Sequence, residues 1–355
     1  MLVVVQVVVV SILMLNSCAL SIFISEQSNK NQVSCNPQNR QLFGKFILMC
    51  WSNARKIIGL TDPFESSPTN HDEKLAFKLA VEKVVLKIFN HNNGASIYYK
   101  HWVPIPYIRI PNCGERSITN LLDTECTPPV LAKIDKYGRQ KIIPTVQIAK
   151  SQSHIKLLIE AVSNKSSTAH AKPFKTFTIV ADPLLRFSIG YQDSIIKLYF
   201  KASSQGDRIL LNTTNVKNHL TLLLDYDQPV PWTMQNLCPM AGSFFEFNVD
   251  VMARQETLLK DWENILCPQY PVLCPPSSPL EILGPLDDEH GTLKALQSLL
   301  HDEPKYMVAL CYFVLVDYVC LSMYTLPPPC QFLNTTLKRA REALQKGVEI
   351  PFTKI

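Results

Sequence analysis

Ten cysteines in the body of the chain restrict its fold more than any other feature. Eleven occur in all, and one of them, Cys18, lies in an uncharged leader. The rest are Cys35, Cys50, Cys113, Cys126, Cys238, Cys267, Cys274, Cys311, Cys320 and Cys330. An even set of thiols in an exported chain points to disulfides. Zinc binding, the other common use, needs closely spaced ligands, and the sequence has no Cys-x-x-Cys pair and no such Cys/His cluster. The leader itself indicates export. Met1 to Ile24 carry no charged side chain, and Leu2–Val10 is almost wholly apolar. Ser17, Cys18, Ala19 and Ser21 then supply the small residues a signal peptidase requires. We read 1–21 as a signal peptide and 22–34 as an N-terminal segment. The competing reading is an uncleaved anchor, because the run nearly reaches a bilayer's span. No other stretch is long and apolar enough to span, so no membrane segment is expected in the mature form. Sequons at Asn164, Asn212 and Asn334 agree with passage through a glycosylating, secretory or lysosomal lumen.

The mature length suits one large domain or two fused halves of about 150 residues. Lys and Arg number 35 against 30 Asp and Glu, a formal charge of +5, and eight histidines would add to it in an acidic lumen. That balance favours DNA or another polyanion as partner, with a merely solvated basic surface as the bland reading.

Hydrophobic spacing predicts helices at Lys74–Phe89, Phe244–Leu266, Thr292–Leu300 and Phe332–Gln345. Short apolar runs predict strands or buried elements at Lys141–Lys150, His154–Val162, Thr176–Ala181 and Ser194–Phe200. Lys305–Met323, rich in β-branched and aromatic residues, predicts a buried strand pair, and Val348–Ile350 a final strand. Arg208–Leu224 is of unsettled type, and Cys267–Pro285 is a Pro-rich loop. Alternating helices and strands imply an α/β architecture. The halves are expected at 35–205 and 206–355.

Several stretches together resemble the deoxyribonuclease II family. PWTMQNLCPMAGSFFEFNVDVMARQETLLKDW supplies Pro231-Trp232, Ala241-Gly242, Phe245, Leu258 and Trp262 at distances similar to that family's. GYQDSIIKLYFKASSQGDRILLN, from Gly190, is similar to its tyrosine-glycine-glutamine strand. Cys35 followed by GKFILMCW resembles its N-terminal cysteine and first strand, and CQFLNTTLKRA resembles its C-terminal cysteine and helix. The match covers much of the chain from Cys35 and is patchy between 53 and 147. It implies a phospholipase D-like pseudo-dimer of two α/β sandwich halves, disulfide-stabilised. It also implies a Cys311–Cys320 bond, nine residues apart, and structural pairing of Cys330 with Cys267 or Cys274. Cys50, Cys113, Cys126 and Cys238 stay unassigned.

The resemblance further implies a metal-independent acid endonuclease with no cofactor. In that family each half contributes a His-x-Lys pair on a strand, where residues two apart share a face and converge on one phosphate. One histidine attacks phosphorus, the other protonates the leaving oxygen, and the lysines stabilise the transition-state charge. The candidate first pair is His170 and Lys172, ahead of TFTIVADP. A second bare match, His154-Ile155-Lys156, is read as an edge-strand residue. Two departures follow. Ala181 stands where the family usually has a further histidine. The second motif is degenerate, with Glu303 and Lys305 in the matching register and His301 not followed by a lysine two residues on. A glutamate beside a phosphodiester is a poor substitute. The residues leave enzymatic activity open. The expected function is a deoxyribonuclease II-like endonuclease with impaired or lost activity. The alternative is a secreted non-catalytic protein that binds nucleic acid or another partner.

Overall fold

The computed structural model describes residues 35, 40–61, 71–89, 95–100, 103–126, 132–134, 140–142, 147–149, 153–157, 175–199, 212–225, 234, 237–274, 276, 291–348 and 350. The chain is mixed α/β and mostly helical. In order it forms α1 (Arg40–Ile57), α2 (His71–Phe89), β1 (Ala95–Lys100), β2 (Val103–Ile108), α3 (Glu115–Glu125), β3 (Ala132–Ile134), β4 (Gln140–Ile142), β5 (Gln147–Ala149) and β6 (Phe177–Val180). There follow α4 (Pro183–Tyr199), α5 (Thr213–Leu224), α6 (Ala241–Glu246), β7 (Val251–Arg254), α7 (Leu258–Asp261), α8 (Thr292–Asp302), α9 (Pro304–Cys320) and α10 (Asn334–Gln345).

One five-stranded sheet has the order β5-β1-β2-β6-β7, and β3 pairs with β4 separately. β1 runs antiparallel to β2 and β5, while β2, β6 and β7 are parallel. Alternate side chains go to opposite faces, as strand geometry requires. Tyr98, Ile105, Tyr107, Phe177, Ile179, Val251 and Ala253 pack with Ile118 and Leu122 of α3 and with Leu258, Trp262 and Leu266. Ala95, Ile97, Tyr99 and Ile108 face the other way and meet Ile155 and Phe247. Because β7 hydrogen-bonds β6, strands from either side of residue 205 share one sheet. Among the described residues, 206–355 contain no other strand, so two separate sandwich halves are not seen there.

The larger core is built around α9. From Ala309 to Cys320 every residue of this helix is buried. A helix apolar on all sides belongs inside a protein, and α9 is sheathed by α1, α4, α6, α8 and α10. The predicted strand pair over Lys305–Met323 is thereby corrected. Seventeen residues with no turn residue inside exceed a strand's usual length, and this outweighs β-branched composition. GKFILMCW likewise lies in a helix, α1, with Phe43, Phe46, Ile47, Cys50, Trp51 and Ala54 buried at helical spacing. Ser194–Tyr199 ends α4 instead of forming a strand, which also places GYQDSIIKLY on a helix. The signal for α4 is Asp182-Pro183: the Asp182 carboxylate accepts from the N–H groups of Leu184 (3.0 Å) and Leu185 (3.1 Å), and Pro183 opens the first turn.

The single helix predicted over Phe244–Leu266 is broken into α6, β7 and α7, the last running on through a π-helical turn at Trp262–Leu266. The break is fixed at Asp250, whose carboxylate takes the backbone N–H of Thr176 at 2.7 Å and lays β7 beside β6. His154 sits in a helical turn, 153–157, not on a strand edge, and Val348 and Ile350 form no strand. The predictions at 74–89, 176–181, 292–300 and 332–345 match α2, β6, α8 and α10 closely.

Three disulfides join Cys35 to Cys320, Cys267 to Cys274 and Cys311 to Cys330. The expected Cys311–Cys320 bond is therefore corrected, and so is a bond from Cys330 to Cys267 or Cys274. Cys311 and Cys320 lie on one straight helix, where nine residues rise about 13 Å, far beyond disulfide reach. Cys50, Cys113, Cys126 and Cys238 are free and buried. Such bonds fit an oxidising lumen or the extracellular space.

Candidate functional site

His170, Lys172 and the sequon at Asn164 lie outside the described residues, as do Pro231 and Trp232. Asn212 is exposed and caps α5, its side-chain oxygen accepting from the Asn215 N–H at 3.0 Å. Asn334 is exposed at the first residue of α10. Ala241, Phe245, Leu258 and Trp262 are all core residues.

Glu303 and Lys305 flank the start of α9, with Pro304 between them. On a strand, residues two apart would share a face. Here the pair straddles a helix start and its side chains are occupied by each other and by α5. Lys217 Nζ bonds Glu303 Oε1, and Lys305 Nζ is 3.8 Å from Glu303 Oε2. Both ammonium groups stand over the ring of Tyr306, at 6.0 Å for Lys217 and 5.3 Å for Lys305. The bond from Glu303 raises the pKa of Lys217. His301 is exposed and turned to Asp302 at 3.0 Å, so it adds nothing to this cluster. Among the described residues no histidine is brought beside Glu303 or Lys305. Lys217 was not foreseen, since nothing in the sequence signals a partner on a helix far earlier in the chain.

A second polar cluster lies at the carboxyl ends of β6 and β7, the usual place for ligands in open α/β sheets. The Asp182 carboxylate, already capping α4, also accepts from Tyr318 OH at 2.9 Å. Glu256 accepts from the Asp182 N–H at 2.6 Å and from Tyr324 OH at 2.8 Å. Burial, reinforced by Glu256, pushes the Tyr324 phenol far up. The Asp317 carboxylate, fully buried on α9, takes the N–H groups of Met240 (3.0 Å) and Ala241 (2.8 Å) at the start of α6. The buried Arg186 donates to the Pro111 carbonyl at 3.1 Å. Cys113 is fully buried and its thiol is pushed up to about 12 by burial, so it is not a nucleophile. Each of these carboxylates ends its hydrogen bonds on a helix start, a strand end or a buried phenol. The cluster stitches α4, α6 and α9 to the sheet, and it holds no unspent acid–base pair. Asp317 had a sequence signal, as the one charge inside the apolar run YFVLVDYVC.

Two buried groups give the fold opposed responses to acid. His219 on α5 bonds Tyr191 OH through Nδ1 at 2.8 Å, and burial lowers its pKa from the ordinary 6.5 to about 4. Its contribution to stability is present above the unfolded value and is lost as pH falls toward 4. Burial pushes Asp317 up to about 6 from 3.8, against the pull of Arg186 and the two N–H bonds. That carboxyl therefore costs stability as pH rises from about 4 to 6. Each effect is about 3 kcal/mol, and over this window they largely cancel. His219→Gln keeps a hydrogen-bonding group but removes the proton site. Urea unfolding should then show the variant gaining up to about 3 kcal/mol at pH 4.5 over pH 7, relative to the parent. A parallel shift at both pH values would contradict this assignment.

Among the described residues no helix is long and apolar enough to cross a membrane, and no group of three His, Cys, Asp or Glu side chains is placed to hold a metal ion. No family model, no curated protein and no solved structure matches this chain.

Proposed function

We propose that the chain is a non-catalytic, disulfide-bonded protein of a lumen or the extracellular space that binds DNA or another polyanion. The observation that carries this reading is the state of Glu303. A general acid must be free to give up a proton to a leaving group, whereas this carboxylate is held by Lys217 and approached by Lys305. The lysine that the family mechanism would aim at phosphate is thus turned to a side chain of the protein. The surface of α10 supports the binding half of the reading. Its buried side is Leu337, Ala340, Ala343 and Leu344, and its outer side presents Lys338, Arg339 and Lys346 around the single acid Glu342.

The test is plasmid cleavage and DNA binding by the full-length, disulfide-intact protein. Near pH 5 with a chelator present, we expect no cleavage by the parent, by His170→Ala or by Glu303→Ala. Cleavage abolished by His170→Ala would instead establish a surviving histidine nuclease. Binding to duplex DNA should weaken steeply with salt, because phosphate contacts release counterions. Replacing Lys338, Arg339 and Lys346 by Gln should lower the magnitude of the log–log salt slope by about 2 to 3. A folded protein that neither cuts nor binds DNA at low salt would remove the polyanion reading.

A further inference from the structure

We infer a second, small-molecule site between α4, α5 and α9 that takes a short apolar chain ending in an anionic group. It does not depend on the polyanion reading. Phe187 of α4, Leu220, Leu223 and Leu224 of α5, and Ala309, Leu310 and Phe313 of α9 line an open-mouthed depression of about 240 Å³, counting its mouth. Tyr306 completes the wall. This is smaller than the clefts that hold drug-sized ligands, so a short alkyl end or a small ring suits it and a long acyl tail does not. The wall offers such a group apolar contact on every side, and the gain comes from removing it from water.

The rim supplies the other half of the recognition. Tyr306 is itself nearly buried, and the Lys305 and Lys217 ammonium groups stand 5.3 and 6.0 Å from its ring centre. Two cations therefore converge where the apolar wall meets solvent. Glu303 alone opposes them, leaving one net positive charge at the rim. A carboxylate or phosphate at the end of a short chain lying in the depression reaches these lysines, and charge-assisted bonds to it are stronger than neutral ones. Glu303 competes with the ligand for the same two ammonium groups. It acts as an internal anion that the ligand has to displace.

Calorimetric titration of the full-length protein with hexanoate, hexyl phosphate and neutral hexanol tests this. Hexanoate or hexyl phosphate should bind and hexanol should bind at least about tenfold more weakly; the comparison of the two anions tells which head group is preferred. Glu303→Gln should tighten anion binding several-fold. Lys217→Gln with Lys305→Gln should weaken it at least about tenfold, and both changes are at surface side chains that leave the core intact. Ala309→Met, which fills the depression, should weaken all three ligands, with circular dichroism confirming the fold. Equal affinity for hexanol and the anions, or anion binding unchanged in the double-lysine variant, would overturn the proposal. Loss of DNA binding in the α10 variant with hexanoate binding intact would show the two sites to be separate.

Discussion

Serine at both 35 and 320 is expected to lower the unfolding free energy by about 4 to 5 kcal/mol, the largest loss any single bond in this protein should cause. The Cys35–Cys320 bond closes a loop of 285 residues. Its main effect is on the unfolded chain, whose ends it holds together, and the entropy removed grows with the logarithm of loop length. In the native state the bond fastens the chain ahead of α1 to the last residue of α9. Those two helices form the central contact of the core, with Trp51 stacked on Phe313 at 5.2 Å between ring centres. Cys267–Cys274 spans seven residues and should be worth only about 2 kcal/mol on the same reasoning. Urea denaturation of the two paired serine variants, each with the other bonds intact, checks the ratio. Equal losses would show that native contacts near the bonds, not chain entropy, set their worth.

Asp317→Ala should cost about 3 to 5 kcal/mol at neutral pH. The carboxylate is the acceptor for two backbone N–H groups at the start of α6, and both would be left buried without it. Each orphaned donor costs about 1 to 3 kcal/mol. Arg186 would also lose the negative charge that now acts beside it in the core. Asp317→Asn keeps one acceptor oxygen and should lose roughly half as much. Thermal and denaturant unfolding of the two variants would settle the order. A smaller loss in Ala than in Asn would mean that burying the carboxylate is a net burden that its bonds do not offset, as happens for some buried charges.

The parts of the fold that were legible in the sequence are those whose pattern is local. β6 stands out in TFTIVADP as a buried run closed by Asp-Pro, and α10 and α8 show ordinary amphipathic spacing. α9 was not legible from composition, since Val, Phe and Tyr favour strands on an exposed sheet but are equally at home on a helix buried all round. Its length was the better guide. The disulfide pairing could not be read from spacing, because Cys311 and Cys320 are neighbours in sequence but stand over two turns apart on α9. In the candidate site, Glu303 and Lys305 were visible as residues. Lys217, which gives the carboxylate its partner, comes from α5, and only the packing of α5 against α8 and the start of α9 brings it there. The acceptor role of Asp317 was hidden likewise, since its donors lie 76 and 77 residues earlier in the chain.

The bond that ties Cys35 to Cys320 also sets a timetable for biosynthesis. At a synthesis rate of about 5 to 20 residues per second, roughly 15 to 60 s pass between the appearance of the first thiol and that of its partner. Throughout that interval the Cys35 thiol is chemically able to pair with an earlier neighbour such as Cys50 or Cys113. The apolar face of α1 meanwhile waits for the helix that will cover it. The nascent chain is thus exposed to wrong pairing and aggregation for almost its entire emergence, and its yield should depend on the thiol-exchange enzymes and chaperones of the compartment in which it folds.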